Sequence, residues 1–149
     1  MSFPEKSGGC LCGRVRFTAR NVPEEASLCH CELCRRWTGS ALVGVALPID
    51  NVTWSTKQPI ATGGIKDWAE RAWCDHCGSH LWFRVTEPGP WSEEIELPLG
   101  LFDDPSGFTI AAEIYIDHKP DSYAYRGAED RKVLTRADCV AAFPTLAEA

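Results

Sequence analysis

The chain has 149 residues, with 21 acidic and 15 basic side chains and a formal charge of −6 at neutral pH. This length suits one domain with one core, and the acidic balance disfavours a nucleic-acid partner, because such binding depends on basic patches. No segment approaches the roughly 20 apolar residues needed to cross a bilayer, and the N-terminus lacks the apolar core of a signal peptide. We therefore expect a single cytoplasmic domain over residues 1–149 with no membrane partner.

Apolar and polar residues alternate along much of the chain, a pattern that predicts half-buried strands. In the first such segment Val15, Phe17 and Ala19 alternate with polar neighbours. Residues 103–107 predict a turn between the last two strands, since proline and glycine favour turn conformations. The pattern predicts a mainly β fold of antiparallel sheets. The other predicted strands cover residues 41–47, 69–73, 80–85, 94–101 and 109–116.

Helical patterning is scarce and is confined to the C-terminal region. Thr135 and Asp138 have the spacing of a capping box, and Pro144 would end a helix that begins there. The sequence thus predicts one short C-terminal helix, with an irregular tail as the alternative. Cys139 on this helix is predicted to be a small buried hydrophobic residue.

Seven of the eight cysteines fall into three tight groups. In a reducing cytosol such close spacing is typical of metal-binding thiolates rather than of disulfides. Four thiolates close a zinc site, whereas three protein ligands leave one position for water or substrate, so seven cysteines suggest one site of each kind. The groups are Cys10-Leu11-Cys12, Cys29-His30-Cys31-Glu32-Leu33-Cys34 and Cys74-Asp75-His76-Cys77.

Cys74 and Cys77 form a zinc knuckle, with two residues between the sulfurs and a glycine after them. The alternative, a thioredoxin-like redox pair, is disfavoured because the strand-rich surroundings lack a βαβ unit. A knuckle needs a second pair of ligands, and Cys10 and Cys12 are the best candidates because choosing them leaves residues 29–34 as a complete local group. We predict a structural zinc at these four residues, hereafter the four-cysteine cluster.

The remaining group consists of Cys29, Cys31 and Cys34, hereafter the cysteine triad, on a predicted loop that enters a short turn. Three ligands would leave zinc a free position, where the ion lowers the pKa of a bound water or thiol and polarises a carbonyl group. The pattern therefore predicts a catalytic zinc at the triad.

A fourth ligand would instead close the triad and make its zinc structural. The candidates are His30, His76, His80 or a residue further away. His30 is disfavoured, because the middle side chain of a Cys-His-Cys run tends to point away from the metal that its neighbours hold. We expect His30 to support the ligands or to lie at the surface.

Arg35 and Arg36 follow the triad directly. Their guanidinium groups suit substrate carboxylates, which they bind through forked hydrogen bonds, or they offset the negative charge of a three-thiolate zinc. A solvated pair is the third interpretation.

Taken together, the cysteine motifs resemble those of the glutathione-dependent formaldehyde-activating enzyme family, which shares its domain with centromere protein V. The resemblance runs from about residue 9 to residue 125, and its specificity lies in the whole succession, since no single group is specific. The motifs are Gly9-Cys10-Leu11-Cys12-Gly13, Cys29-His30-Cys31-Glu32-Leu33-Cys34-Arg35, Cys74-Asp75-His76-Cys77-Gly78-Ser79 and Leu99-Gly100-Leu101-Phe102-Asp103-Asp104-Pro105.

The resemblance implies a β-rich, tent-like fold that holds two zinc ions. It implies a structural role for Cys10, Cys12, Cys74 and Cys77 and a catalytic role for the triad. The implied reaction is the reversible joining of formaldehyde to the thiol of glutathione, which gives S-hydroxymethylglutathione and is classed as carbon–sulfur lyase chemistry.

Three classes of function are therefore compatible with the sequence. The first is a zinc lyase that acts on a thiol–aldehyde adduct, with glutathione and an aldehyde as its partners. The second is a non-catalytic glutathione carrier or sensor, and the third is a zinc-stabilised interaction module. The acidic charge and the lack of a basic tail favour a small-molecule partner over the third class.

Overall fold

The computed structural model describes residues 1–57 and 59–148, which form two compact units. The first unit contains Met1–Glu24 and Val45–Phe108, and the second contains Glu25–Gly44 and the chain from Thr109 onward. The chain thus enters the second unit, leaves it and returns. The single-domain organisation over residues 1–149 stays a prediction.

The first unit contains a three-stranded antiparallel sheet near its N-terminus. Its strands are β1 (Ser2–Gly9), β2 (Arg16–Pro23) and β5 (Val52–Trp54), with β2 in the centre. The alternation of Phe17 and Ala19 in β2 follows the prediction, since both side chains are buried. The strand itself starts at Arg16.

Four further strands of the first unit pair antiparallel in the order β9-β8-β7-β6. They are β6 (Ile60–Gly63), β7 (Ala69–Cys74), β8 (His80–Val85) and β9 (Glu94–Pro98). A buried cluster lies against this sheet and includes two of the metal-candidate cysteines. Its buried members are Cys10, Val15, Ala72, Cys74 and Leu81.

The sheet of the second unit has the order β11-β10-β3-β4. Its strands are β3 (Glu25–Cys29), β10 (Thr109–Ile114), β11 (Lys132–Leu134) and the first residues of β4 (Leu42–Pro48). Strand β10 pairs in parallel with both β3 and β11, so the mainly antiparallel β fold includes parallel pairing at this point. The connections are long enough to return the chain in the same direction, which a tight hairpin cannot do.

Two α-helices belong to the second unit. Helix α2 (Arg136–Ala142) confirms the predicted C-terminal helix, because Thr135 accepts from the Asp138 backbone and the Asp138 side chain accepts from the Thr135 backbone. Helix α1 (Glu32–Thr38) was not predicted and lies where a loop and turn were expected. Short 3-10 helices cover Ile49–Asn51, Leu99–Leu101, Ile116–His118, Ala128–Asp130 and Pro144–Glu148.

The mainly β fold is confirmed, and each predicted strand has a counterpart, though two end early. The segment 94–101 turns into a 3-10 helix at Leu99, and the segment 109–116 ends at Ile114 because Tyr115 takes a positive φ of 55°. Among the described residues, no helix combines the length and apolar character needed to cross a membrane. Within residues 1–57 and 59–148, five strands were not predicted: β1, β3, β5, β6 and β11.

Candidate metal centres

The structure brings the four-cysteine cluster together at two turns of the first unit. Cys10 and Cys12 lie in the β1–β2 connection, Cys74 is the last residue of β7, and Cys77 lies in the β7–β8 connection. The Cys12 Sγ is 3.5 Å from the Cys10 Sγ and 3.8 Å from the Cys74 Sγ, and all four sulfurs lie within 4.8 Å of one another. Residues more than 60 positions apart in sequence thus converge on one point.

Two glycines allow these turns to fold back tightly. Gly13 and Gly78 take φ values of 79° and 77°, in the left-handed region that favours glycine. The Gly13 N–H donates to the Cys10 carbonyl, and the Gly78 N–H donates to the Cys74 carbonyl at 2.7 Å. The glycine after each pair therefore has a conformational role in closing the cluster.

The sulfur positions fit a tetrahedral zinc ion. Zinc–sulfur bonds of about 2.3 Å in a regular tetrahedron place the sulfurs about 3.8 Å apart, close to the separations seen here. Hydrogen bonds also favour thiolates: the Val15 N–H donates to the Cys10 Sγ, and the Ser79 hydroxyl lies 3.2 Å from the Cys77 Sγ. The contact with Ser79 is the main reason that the pKa of Cys77 falls to about 5.

The cysteine triad lies in the second unit, where β3 passes into α1. Cys29 is the last residue of β3, Cys31 is the N-cap of α1, and Cys34 is in the first turn of the helix. The Cys31 Sγ accepts from the Cys34 backbone N–H at 3.3 Å, in the manner of an N-capping oxygen. The three sulfurs lie within 4.8 Å of one another.

The triad cysteines differ in their ionisation. Hydrogen bonds from the Cys29 and Cys34 thiols, followed by backbone N–H groups, lower the pKa of Cys31 to about 3. Hydrogen bonding to Cys31 and Cys34, together with burial, raises the pKa of Cys29 well above its usual range. One thiolate is thus stabilised by two thiols, and a cation bound there would favour loss of the remaining protons.

The triad is enclosed by apolar residues on most sides. Cys29 and Cys34 are 8% and 7% exposed, while Cys31 is only partly buried. The opening of the site is therefore at Cys31. Residues that pack with the buried triad cysteines are Leu42, Tyr115, Cys139, Trp37, Ile114, Leu134 and Leu146.

Histidines do not join either group of metal-candidate sulfurs among residues 1–57 and 59–148. His76 is exposed on the knuckle turn, and His30 is buried with its side chain paired to Glu113. Of the two placements expected for His30, the surface one is excluded, because the residue is 1% exposed.

Glu113 and Arg131 complete a buried charged group beside His30 that the sequence reasoning missed. The Arg131 Nη1 is 3.3 Å from the Glu113 Oε2, and both side chains are 3% exposed. The available signal was a glutamate inside the apolar segment Ile110–Ile114, where a strand facing the core rarely tolerates an unpaired charge.

The other predicted residues have clear positions. Arg36 forms an i,i+4 ion pair with Glu32 at 2.8 Å, which lowers the pKa of that glutamate, while Arg35 is half-buried on the same helix. Cys139 is 7% exposed, which confirms the prediction of a buried residue, and burial raises the pKa of its thiol.

Comparison with known proteins relates the chain to a known family. The sequence profile of the glutathione-dependent formaldehyde-activating enzymes matches residues 5–118. The chain belongs to this family. An uncharacterized lyase of Schizosaccharomyces pombe is 30% identical over 124 residues, which is 83% of this chain and 87% of that protein.

A crystal structure of a Rhodobacter sphaeroides protein has a similar fold, with a TM-score of 0.55 and 15% sequence identity. The likeness covers 87% of this chain and 99% of that one. The family match includes all seven clustered cysteines and Glu113, whereas Arg131 and Cys139 lie beyond residue 118.

Proposed function

We propose that this protein is a zinc-dependent carbon–sulfur lyase that reversibly joins formaldehyde, or a related aldehyde, to the thiol of glutathione. The product is S-hydroxymethylglutathione. The observation that carries the proposal is the open cysteine triad, three sulfurs within 4.8 Å of one another in a member of this family. The lyase named among its relatives supports the same class of reaction.

The triad cysteines Cys29, Cys31 and Cys34 would hold the catalytic zinc, and the four-cysteine cluster would hold a structural one. When bound at the triad, zinc supplies a positive charge that stabilises a thiolate or polarises a carbonyl oxygen. The donor set fits this ion, since three thiolates can surround it on one side and leave a position free.

The reaction itself is balanced without an oxidant or reductant. The glutathione sulfur forms a bond to the carbonyl carbon, the π electrons move to the oxygen, and the oxygen takes the proton released by the thiol. Formaldehyde adds to thiols readily without help, so the contribution proposed for the protein is chiefly positioning of the two reactants.

The second unit offers residues for that positioning. Because Cys31 is the most accessible sulfur of the triad, we place the approach of both reactants on its side. Arg35 lies one residue after Cys34, and its guanidinium suits a glutathione carboxylate. Arg36 is the weaker candidate, because its guanidinium already forms an ion pair with Glu32.

The test combines metal content with exchange kinetics. The protein is purified without added metal or chelator, and zinc per chain is measured by elemental mass spectrometry. NMR exchange spectroscopy on formaldehyde and glutathione then measures the rate of adduct exchange with the protein at trace concentration.

We expect about two zincs per chain and an exchange rate that increases in proportion to protein, with an unchanged equilibrium. A glutathione carrier would instead shift the equilibrium in proportion to its own amount. A protein that holds two zincs and leaves the exchange rate at its uncatalysed value would contradict the lyase proposal.

A further inference from the structure

A chain of three buried side chains begins in the middle of the cysteine triad. The His30 Nε2 lies 2.6 Å from the Glu113 Oε1, and the other carboxylate oxygen lies 3.3 Å from the Arg131 Nη1. The side chains of His30, Glu113 and Arg131 are 0%, 3% and 3% exposed. A carboxylate accepts hydrogen bonds, so this geometry suits the tautomer in which the His30 Nε2–H donates to Glu113.

Each member of this chain comes from a different strand region of the same sheet. His30 directly follows β3, Glu113 lies in β10, and Arg131 directly precedes β11. The two parallel pairings of β10 hold these strands side by side, with Glu113 opposite Leu28. Three polar side chains are thus aligned across the sheet by backbone pairing.

The backbone fixes both ends of the chain. The His30 N–H donates to the Ile114 carbonyl at 3.1 Å, and the Arg131 Nε donates to the Gly127 carbonyl at 3.2 Å. The backbone of His30 is thus tied to β10, while burial and the Nε2 contact with Glu113 restrict the imidazole ring. Since His30 is bonded covalently to both Cys29 and Cys31, its fixed position limits the movement of two of the three triad sulfurs.

A buried ion pair is a poor source of net stability, because desolvation of the two charges offsets most of their attraction. Specifying one local arrangement is the better-supported use of such a group, and the arrangement specified here is that of the triad. Hydrogen-bonding partners behind metal ligands commonly change metal affinity or activity by about 10- to 100-fold when they are removed.

We propose that Glu113 is a positioning residue for the cysteine triad, which it holds through His30, with Arg131 orienting its carboxylate. The inference rests on the proposed zinc site at the triad. It does not require lyase activity, because metal retention reports on it directly.

The first test is Glu113→Gln, which keeps the shape of the side chain and removes its charge. We expect the zinc affinity of the triad, measured by competition with a chelator, to be about 10- to 100-fold lower than in the wild type. The four-cysteine cluster should keep its zinc as in the wild type. In cobalt-substituted protein, the sulfur-to-cobalt charge-transfer bands assigned to the triad should shift. If the wild type shows lyase activity, kcat should fall with little change in KM.

The control is Glu70→Gln, because Glu70 pairs with Arg84 at 3.2 Å in the first unit, away from the triad sequence. This variant should keep the wild-type affinity of the triad for zinc. The zinc affinity of the triad in Arg131→Lys should lie between those of the wild type and Glu113→Gln. Lysine keeps a positive charge for the carboxylate but lacks the planar guanidinium group.

If Glu113→Gln unfolds, it cannot distinguish a positioning role from a role in general stability. A second variant therefore removes the charges of Glu113 and Arg131 together. Glu113→Gln with Arg131→Met leaves no unpaired buried ion, which is the main cause of instability when one partner is removed. Weakened triad zinc in this folded variant supports the proposal.

Wild-type zinc affinity and unchanged cobalt bands in a folded Glu113 variant, even with a lower melting temperature, would overturn the positioning role. Failure of the lyase proposal looks different, since wild-type protein would then bind two zincs without accelerating adduct exchange.

Discussion

The two cysteine groups bring their sulfurs close together in different ways. The four-cysteine cluster joins two turns that are distant in sequence, whereas the triad takes all of its sulfurs from residues 29–34. A metal that joins distant turns closes long loops and so stabilises the fold, while a metal bound by one short segment closes almost none. The triad therefore depends on surrounding residues for its shape, and the His30–Glu113–Arg131 chain supplies such support.

The largest effect that this difference predicts is on folding. Cys74→Ser removes a buried ligand of the four-cysteine cluster, and structural zinc contributes folding free energy of order 10 kcal/mol, comparable to the whole stability of a domain. We expect loss of the cooperative melting transition, measured by calorimetry or circular dichroism. A Cys74→Ser protein that still melts cooperatively near the wild-type temperature would contradict a structural role.

The matched change in the triad should spare folding and remove activity. Cys31→Ser should lower zinc content by about one per chain and slow protein-dependent adduct exchange about 100-fold, since losing the ion misplaces the two reactants and misplacement costs about that much. The melting transition should stay cooperative. If Cys31→Ser unfolds the protein as Cys74→Ser does, the distinction between the two sites fails.

A third prediction concerns substrate recognition on the triad side only. Arg35→Ala should raise KM for glutathione by about 10- to 100-fold, because a charge-assisted hydrogen bond contributes roughly 1.5–3 kcal/mol. Arg36→Ala is the control and should change KM little, because Glu32 already pairs with Arg36. Equal effects of the two substitutions would show that neither arginine is selective for the substrate.

The smallest predicted effect is at the C-terminal helix of the second unit. Thr135→Ala removes the N-cap and should cost about 1 kcal/mol, or roughly 2–4 °C in melting temperature. The zinc of the four-cysteine cluster should not respond. A change in the rate of zinc release from the four-cysteine cluster would show that the cluster is coupled to the helix cap.

The same cap has a pH dependence with a definite sign. Hydrogen bonds from the Thr135 backbone and hydroxyl lower the pKa of Asp138 below its ordinary value of 3.8. A lowered folded-state pKa stabilises the fold above the ordinary pKa, and that contribution is lost as pH falls through the lowered one. The difference in melting temperature between wild type and Thr135→Ala should therefore shrink in strong acid, and a constant difference would rule out the charged cap.

The sequence predicted the cysteine groups well because metal ligation imposes a local spacing that can be read directly. It predicted α2 because the capping box of Thr135 and Asp138 is also local. Helix α1 was missed because its cap is the Cys31 sulfur rather than a usual oxygen-bearing side chain. The partner of His30 was missed because Glu113 lies 83 residues away and meets it only through parallel strand pairing, which leaves no local spacing.

The interrupted course of the second unit has a consequence for the order of events during synthesis. A ribosome completes the four-cysteine cluster once residue 77 has emerged, and the triad sulfurs are present from residue 34. Strand β10 and Arg131 are made long after both, and domains tend to fold from the N-terminus as they emerge. The nascent chain thus carries three clustered thiols with an unsupported histidine between them until β10 and Arg131 have been synthesised.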